Sequence, residues 1–145
     1  MVERLEREIM NRPRVFPLRG ERGGNGNAPP RTLLRMASGD PQALIGLLSE
    51  VVRSNRSDRD GLIRCYGLCD RKAVARFAHR LKGGARVVGD LGLANACLAL
   101  ERAALGAGRM EAAYEVVILE LERLERILLA AHERLAESSS VSIPA

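Results

Sequence analysis

The sequence predicts an all-α domain, an up-down-up-down antiparallel four-helix bundle with a short N-terminal helical turn, and three observations carry that expectation. Of the 145 residues 46% are hydrophobic but only 3% are aromatic, with no Trp. Leu, Ala and Val must therefore fill the core, which suits helices pressed closely together better than aromatic and β-branched strands. Beyond residue 40 the apolar residues recur at helical spacing. Asp40, Asp70 and Asp90 each stand directly before such a periodic segment, where a side-chain oxygen caps the free N–H groups of a helix start.

Residues 1–30 read as a basic Gly/Pro-rich linker or tail. Arg12-Pro13-Arg14, Arg19 to Asn27 and Pro29-Pro30 are too polar and too rich in Gly and Pro to bury themselves. A helical turn is expected near Arg31–Ala37. Asp40 followed by Pro41 then starts a long helix over about 41–67, with Leu44, Leu48, Val51, Leu62, Cys65 and Cys69 along one stripe and Gly61 as its weak point. Asp70 starts a second helix that buries Val74, Phe77, Ala78, Leu81, Ala85 and Val88 and turns Arg71, Arg76, His79, Arg80, Lys82 and Arg86 toward solvent or its boundary. Gly89-Asp90 ends that helix and begins a third, about 91–105, burying Leu91, Ala94, Leu98 and Leu105 with Cys97 and Glu101 nearby, before Gly106-Ala107-Gly108 closes it. The last helix, about 109–136, repeats Tyr114, Val117, Leu121, Leu124, Leu128, Ala131 and Leu135 at nearly a seven-residue period. The bundle is thus expected over 31–137, and Ser138–Ser140 with Pro144 reads as a frayed terminus over 138–145.

Composition narrows the function classes. The net charge of +5 is concentrated at the start, where residues 1–31 hold seven Arg against four Glu. Basic single-strand binders interleave their cations with aromatic stacking platforms, which this chain lacks, so nucleic acid is not expected as a partner. No apolar run approaches 18 residues, so no direct membrane insertion is expected and the default location is cytoplasmic. Cys65, Cys69 and Cys97 form no C-x-x-C pair and read as buried thiols in a reducing compartment, with no metal site among them. No Walker-type loop, kinase glycine loop, paired-carboxylate or Ser/His/Asp arrangement is present, so no ATP site of its own is expected.

One constellation remains. His79, Lys82 and Gly83 fall at i, i+3 and i+4 and share a helix face, presenting a nucleophile, a cation and a gap. Neutral imidazole is a good nucleophile near neutral pH, Lys82 supplies a point charge for a phosphoryl group, and Gly83 lets another protein approach the helix. From Asp70 to Arg86 six basic residues face one acid, a field that suits an acidic partner. His132, with no cation or small residue arranged about it, reads as a boundary side chain.

Residues 78–101 run A-H-x-L-K-G-G-A-x-x-V-G-x-x-x-L-x-x-x-C-x-x-L-E. This stretch resembles the signature of histidine-containing phosphotransfer (HPt) domains, and the similarity extends over about residues 33–135. It is most like the C-terminal HPt modules of hybrid sensor histidine kinases of the BvgS and EvgS kind. The resemblance implies a four-helix bundle without an ATP site that accepts a phosphoryl group on His79 from a receiver-domain aspartyl phosphate and passes it to a response-regulator aspartate. It implies Lys82 beside the phosphate, Gly83 as its small neighbour, Mg²⁺ in the partner receiver rather than in this chain, and Gly84 where many members carry Ser. Arg76, Arg80 and Arg86 are the expected docking cations, and Glu101 is expected to have a structural role, pairing with a basic neighbour or helping the bundle pack. The alternative is a non-catalytic helical docking module for receiver or kinase domains.

Overall fold

A computed structural model describes residues 31–141, with side chains described to residue 138; the expected N-terminal linker lies outside the described residues. Five helices follow one another: α1 (Arg31–Met36), α2 (Pro41–Gly67), α3 (Arg71–Val88), α4 (Leu91–Leu105) and α5 (Glu111–Val141). No strand occurs among the described residues. The four long helices form the bundle, α2 packing on α3, α3 on α4, α4 on α5 and α5 back on α2, while α1 rests on α2 and α3.

Ion pairs cross these seams. Asp58 of α2 meets Arg80 of α3, Arg56 of α2 meets Glu125 of α5, and Asp90 at the start of α4 meets Arg123 of α5. At the end of the bundle opposite α1, Tyr66 and Tyr114 stack with centroids 3.7 Å apart. There Arg71 donates from the first turn of α3 to the carbonyls of Ala103 and Ala104 in the last turn of α4 and of Gly108 in the loop beyond, tying the three segments together.

All three Asp residues cap as expected. Asp40 accepts from Gln42 N–H at 3.0 Å, Asp70 from Ala73 N–H at 3.1 Å and Asp90 from Leu93 N–H at 3.0 Å. Such a cap stabilises a helix by about 1 kcal/mol. The core is aliphatic, with Leu33, Leu48, Leu62, Leu81, Leu93, Leu100, Leu124 and Leu128 as its largest fully buried side chains along with Val74, Val117 and Cys97. Ala78 and Ala85 of α3 and Ala94, Ala96 and Ala104 of α4 are buried too, and their small size lets these helices lie close.

Several expectations need correction. On α4 the buried stripe is Leu93, Ala94, Ala96, Cys97, Leu100 and Ala104, whereas Leu91 and Leu105 are exposed. This helix is apolar nearly all round, so its periodicity does not single out one face. Only Cys97 is a buried thiol; Cys65 is half-buried and Cys69 exposed, because α2 stops at Gly67 and Cys69 lies in the turn beyond it. On α2 it is Val52 that is buried, with Val51 at the boundary. Gly61, expected as the weak point of α2, lies inside an unbroken helix and is buried, and its missing Cβ leaves room for the Phe77 ring. α5 runs to Val141, past the expected end near residue 136.

Candidate functional site

α3 is built to display one ridge. Its buried residues Val74, Ala78, Leu81, Ala85 and Val88 turn the opposite face outward. Lys72, Arg76, His79, Arg80, Gly83, Arg86 and Val87 lie on that face and all are exposed. Successive residues diverge by about 100° around a helix, so the neighbours His79 and Arg80 lean to opposite flanks, one toward α4 and the other toward α2.

On the α4 flank, Glu101 joins the histidine to the lysine. One carboxylate oxygen lies 3.0 Å from His79 Nδ1, and the other accepts from Lys82 Nζ at 2.7 Å. The His79 ring is 67% exposed, whereas the Lys82 and Glu101 side chains keep 11% and 18%. Lys82 is thus buried, further in than the expected solvent boundary, its ammonium compensated by Glu101. The hydrogen bond from Lys82 foremost, then that from His79, holds the Glu101 carboxyl below the ordinary carboxylate range against the opposing effect of burial. An ionised Glu101 accepts from Nδ1–H, which leaves Nε2 as the ring nitrogen with its lone pair free on the exposed ring. Behind this group burial pushes the Cys97 thiol up to about 12, so it stays protonated and inert.

Gly83 and Gly84 follow one helical turn after His79. A Cβ at either would meet nothing within 4 Å. Each glycine in a helix interior costs about 1 kcal/mol relative to Ala, and no close neighbour inside the domain demands the missing side chains. Two consecutive glycines therefore keep a bare patch on the ridge beside the histidine.

On the α2 flank, Arg80 Nη2 pairs with Asp58 Oδ1 at 3.0 Å, and the guanidinium lies over the Phe77 ring, 5.7 Å from its centroid. Arg76 and Arg86 are exposed on the ridge itself. His132 is half-buried on α5 and outside this group.

Sequence reasoning placed His79, Lys82 and Gly83 on one face and gave Glu101 a structural role, as partner to a basic neighbour or in packing, without joining it to His79. The signal that could have found it was present: Glu101 sits on the helix that follows α3 across a short turn, and a half-buried acid opposite a His and a Lys at i, i+3 has two partners waiting. Among the described residues no group of three or more His, Cys, Asp or Glu side chains could hold a metal ion, and no helix is long and apolar enough to cross a membrane.

Comparison with known proteins converges on this region. The family model described as "Hpt domain" matches residues 46–137. The virulence sensor protein BvgS of Bordetella parapertussis and that of Bordetella pertussis are each 40% identical over 75 residues, and that of Bordetella bronchiseptica is 39% identical over the same length. The matched stretch covers 52% of this chain but 6% of each relative. No solved structure gives a significant match.

Proposed function

The chain belongs to the Hpt-domain family, which gives it a phosphotransfer role in two-component signalling, and from that premise we propose that it is a phosphorelay intermediate whose phosphoryl acceptor is His79. The observation that supports this most is the Glu101 bridge, which occupies Nδ1, buries the lysine and leaves an exposed Nε2 beside two bare glycines.

In the proposed step Nε2 attacks the phosphorus of a receiver's aspartyl phosphate. A P–N bond forms as the acyl P–O bond breaks, and the partner aspartate leaves as a carboxylate. The ring retains its Nδ1 proton and becomes a cationic N-phosphoimidazolium, so no base need remove a proton. Glu101, already ionised at 3.0 Å, stabilises that positive charge and fixes the tautomer. Transfer to a response-regulator aspartate is the reverse reaction. Lys82 holds Glu101 in place in the resting state and lies one turn from His79, near enough to share its charge with the phosphoryl oxygens. The receiver supplies Mg²⁺ and most of the charge stabilisation; this chain supplies position and an open approach. Gly83 provides that approach, and the cations of α3 favour encounter with an acidic surface.

The relatives named as sensor proteins suggest the setting, the cytoplasmic C-terminal module of a hybrid sensor kinase. Incubation with a receiver phosphorylated by acetyl phosphate, followed by a second receiver, tests the proposal. The wild-type chain is expected to gain an acid-labile label and pass it on, and His79→Gln to gain none. Label retained by His79→Gln would remove the assignment, and tight binding without any label would favour the docking-module alternative.

A further inference from the structure

Among the described residues only two charged residues are buried, Lys82 and Asp58, and both serve the exposed ridge of α3. Lys82 belongs to the His79–Glu101 group on one flank. Asp58 stands on the other, on α2, paired with Arg80. A buried carboxylate is desolvated at a cost that one ion pair to an exposed arginine does not reliably repay, so such a group is weak support for stability and stronger support for geometric specificity.

The surroundings of Arg80 share that character. The side chain is 66% exposed, yet it is held at two points, by Asp58 Oδ1 at 3.0 Å and over the Phe77 ring at 5.7 Å. Phe77 can lie there because residue 61 has no Cβ to obstruct the ring. Gly61, Phe77, Asp58 and Arg80 form one device across the α2–α3 seam, and its outermost group is a guanidinium. Of the ridge cations Lys72, Arg76, Arg80 and Arg86, Arg80 alone has a described ion pair.

We propose that Asp58 is a positioning residue for partner docking, holding Arg80 at the α2 edge of the His79 ridge so that its outward N–H groups meet a carboxylate of an acidic receiver surface at a fixed point. This rests on the phosphorelay reading above and adds to it the orientation of the encounter. Guanidinium carries five N–H donors in a rigid fork, and one contact with Asp58 leaves most of them available. An arginine ordered before binding loses little further side-chain freedom on docking. Lys72, Arg76 and Arg86 contribute the long-range attraction, which raises the encounter rate without fixing an angle. Arg80, partly neutralised and fixed, sets the point at which the receiver seats beside His79.

The test is a double-mutant cycle on transfer from the acetyl-phosphate-charged receiver that labels the wild-type chain fastest. Asp58→Asn is expected to raise KM for that receiver about fivefold, the scale on which losing one docking contact acts, with kcat at saturating receiver within about twofold of wild type. Arg80→Ala is expected to raise KM at least as much, and Asp58→Asn to add nothing in the Arg80→Ala background. Should Asp58→Asn fail to fold, as judged by its helical circular dichroism, Phe77→Leu removes the ring beneath the guanidinium and is expected to raise KM in the same direction. Unchanged KM in these variants, or additive effects of Asp58→Asn and Arg80→Ala, would overturn the positioning role while leaving His79 as acceptor. Absence of transfer to the wild-type chain from every receiver tried would instead remove the phosphorelay reading, and this proposal with it.

Discussion

At His79 an exposed imidazole shares a carboxylate with a buried lysine, and the consequence for pH is specific. The Glu101 pKa is lowered in the folded chain, chiefly by the Lys82 hydrogen bond. A group with a depressed folded pKa contributes stability that is fully present above its unfolded value and is lost as pH falls through the folded one. The stability difference between wild type and Glu101→Gln, from urea melts, is therefore expected to be constant above about pH 5.5 and to shrink below about pH 4.5, the ordinary Glu range. A difference that persists undiminished at lower pH would mean that the ionised carboxylate is not what matters. Gly83 makes the opposite kind of residue, unfavourable to the fold and proposed as useful to the reaction. Gly83→Ala fills open space and is expected to stabilise the chain by about 1 kcal/mol while slowing transfer from a receiver; a variant both more stable and equally fast would separate this glycine from access. His79, Lys82 and Gly83 were legible because residues on one helix share a face by spacing alone. Glu101 was legible only as a structural residue with a basic neighbour in reach, because its link to His79 depends on how two helices lie against each other, which no single periodicity encodes.

α2 and α3 end by a shared device. After α3, Asp90 N–H donates to Ala85 carbonyl and Gly89 N–H to Arg86 carbonyl, with Gly89 at φ 81°. After α2 the same pair of bonds recurs from Asp70 to Cys65 and from Cys69 to Tyr66, but the left-handed position holds Cys69 at φ 58°. A side chain with a Cβ is strained there, by roughly 1 kcal/mol, and glycine is the usual occupant. Cys69→Gly is expected to raise the thermal midpoint, as followed by circular dichroism; a lower midpoint would show that the exposed cysteine makes a stabilising contact outside this turn. Gly89 tolerates no such exchange, since a Cβ would lie 2.8 Å from Thr32 Oγ1 where α1 covers the end of α3. Capping Asp residues made the starts of α2, α3 and α4 readable. The α4 face was misread because leucines and alanines surround that helix, so only its neighbours decide which of them are buried. Cys69 was assigned to a stripe for a related reason: the α2 pattern continues in the sequence past the point where the backbone turns.

Across the whole molecule, a bundle of aliphatic core and small residues holds α3 as a display element with a histidine on its crest. Ion pairs stand on either flank of that ridge, buried Lys82 with half-buried Glu101 toward α4 and buried Asp58 with Arg80 toward α2. The architecture followed from composition and period, whereas the flanking ion pairs arise between helices and became visible only with the seams assembled. The most direct test of the central claim is to treat uniformly ¹⁵N-labelled chain with a phosphorylated receiver and observe ³¹P–¹⁵N coupling by NMR. The account predicts a phosphoramidate on Nε2 of His79, lost in His79→Gln. A phosphoryl group on Nδ1, on His132 or on any other side chain would contradict it.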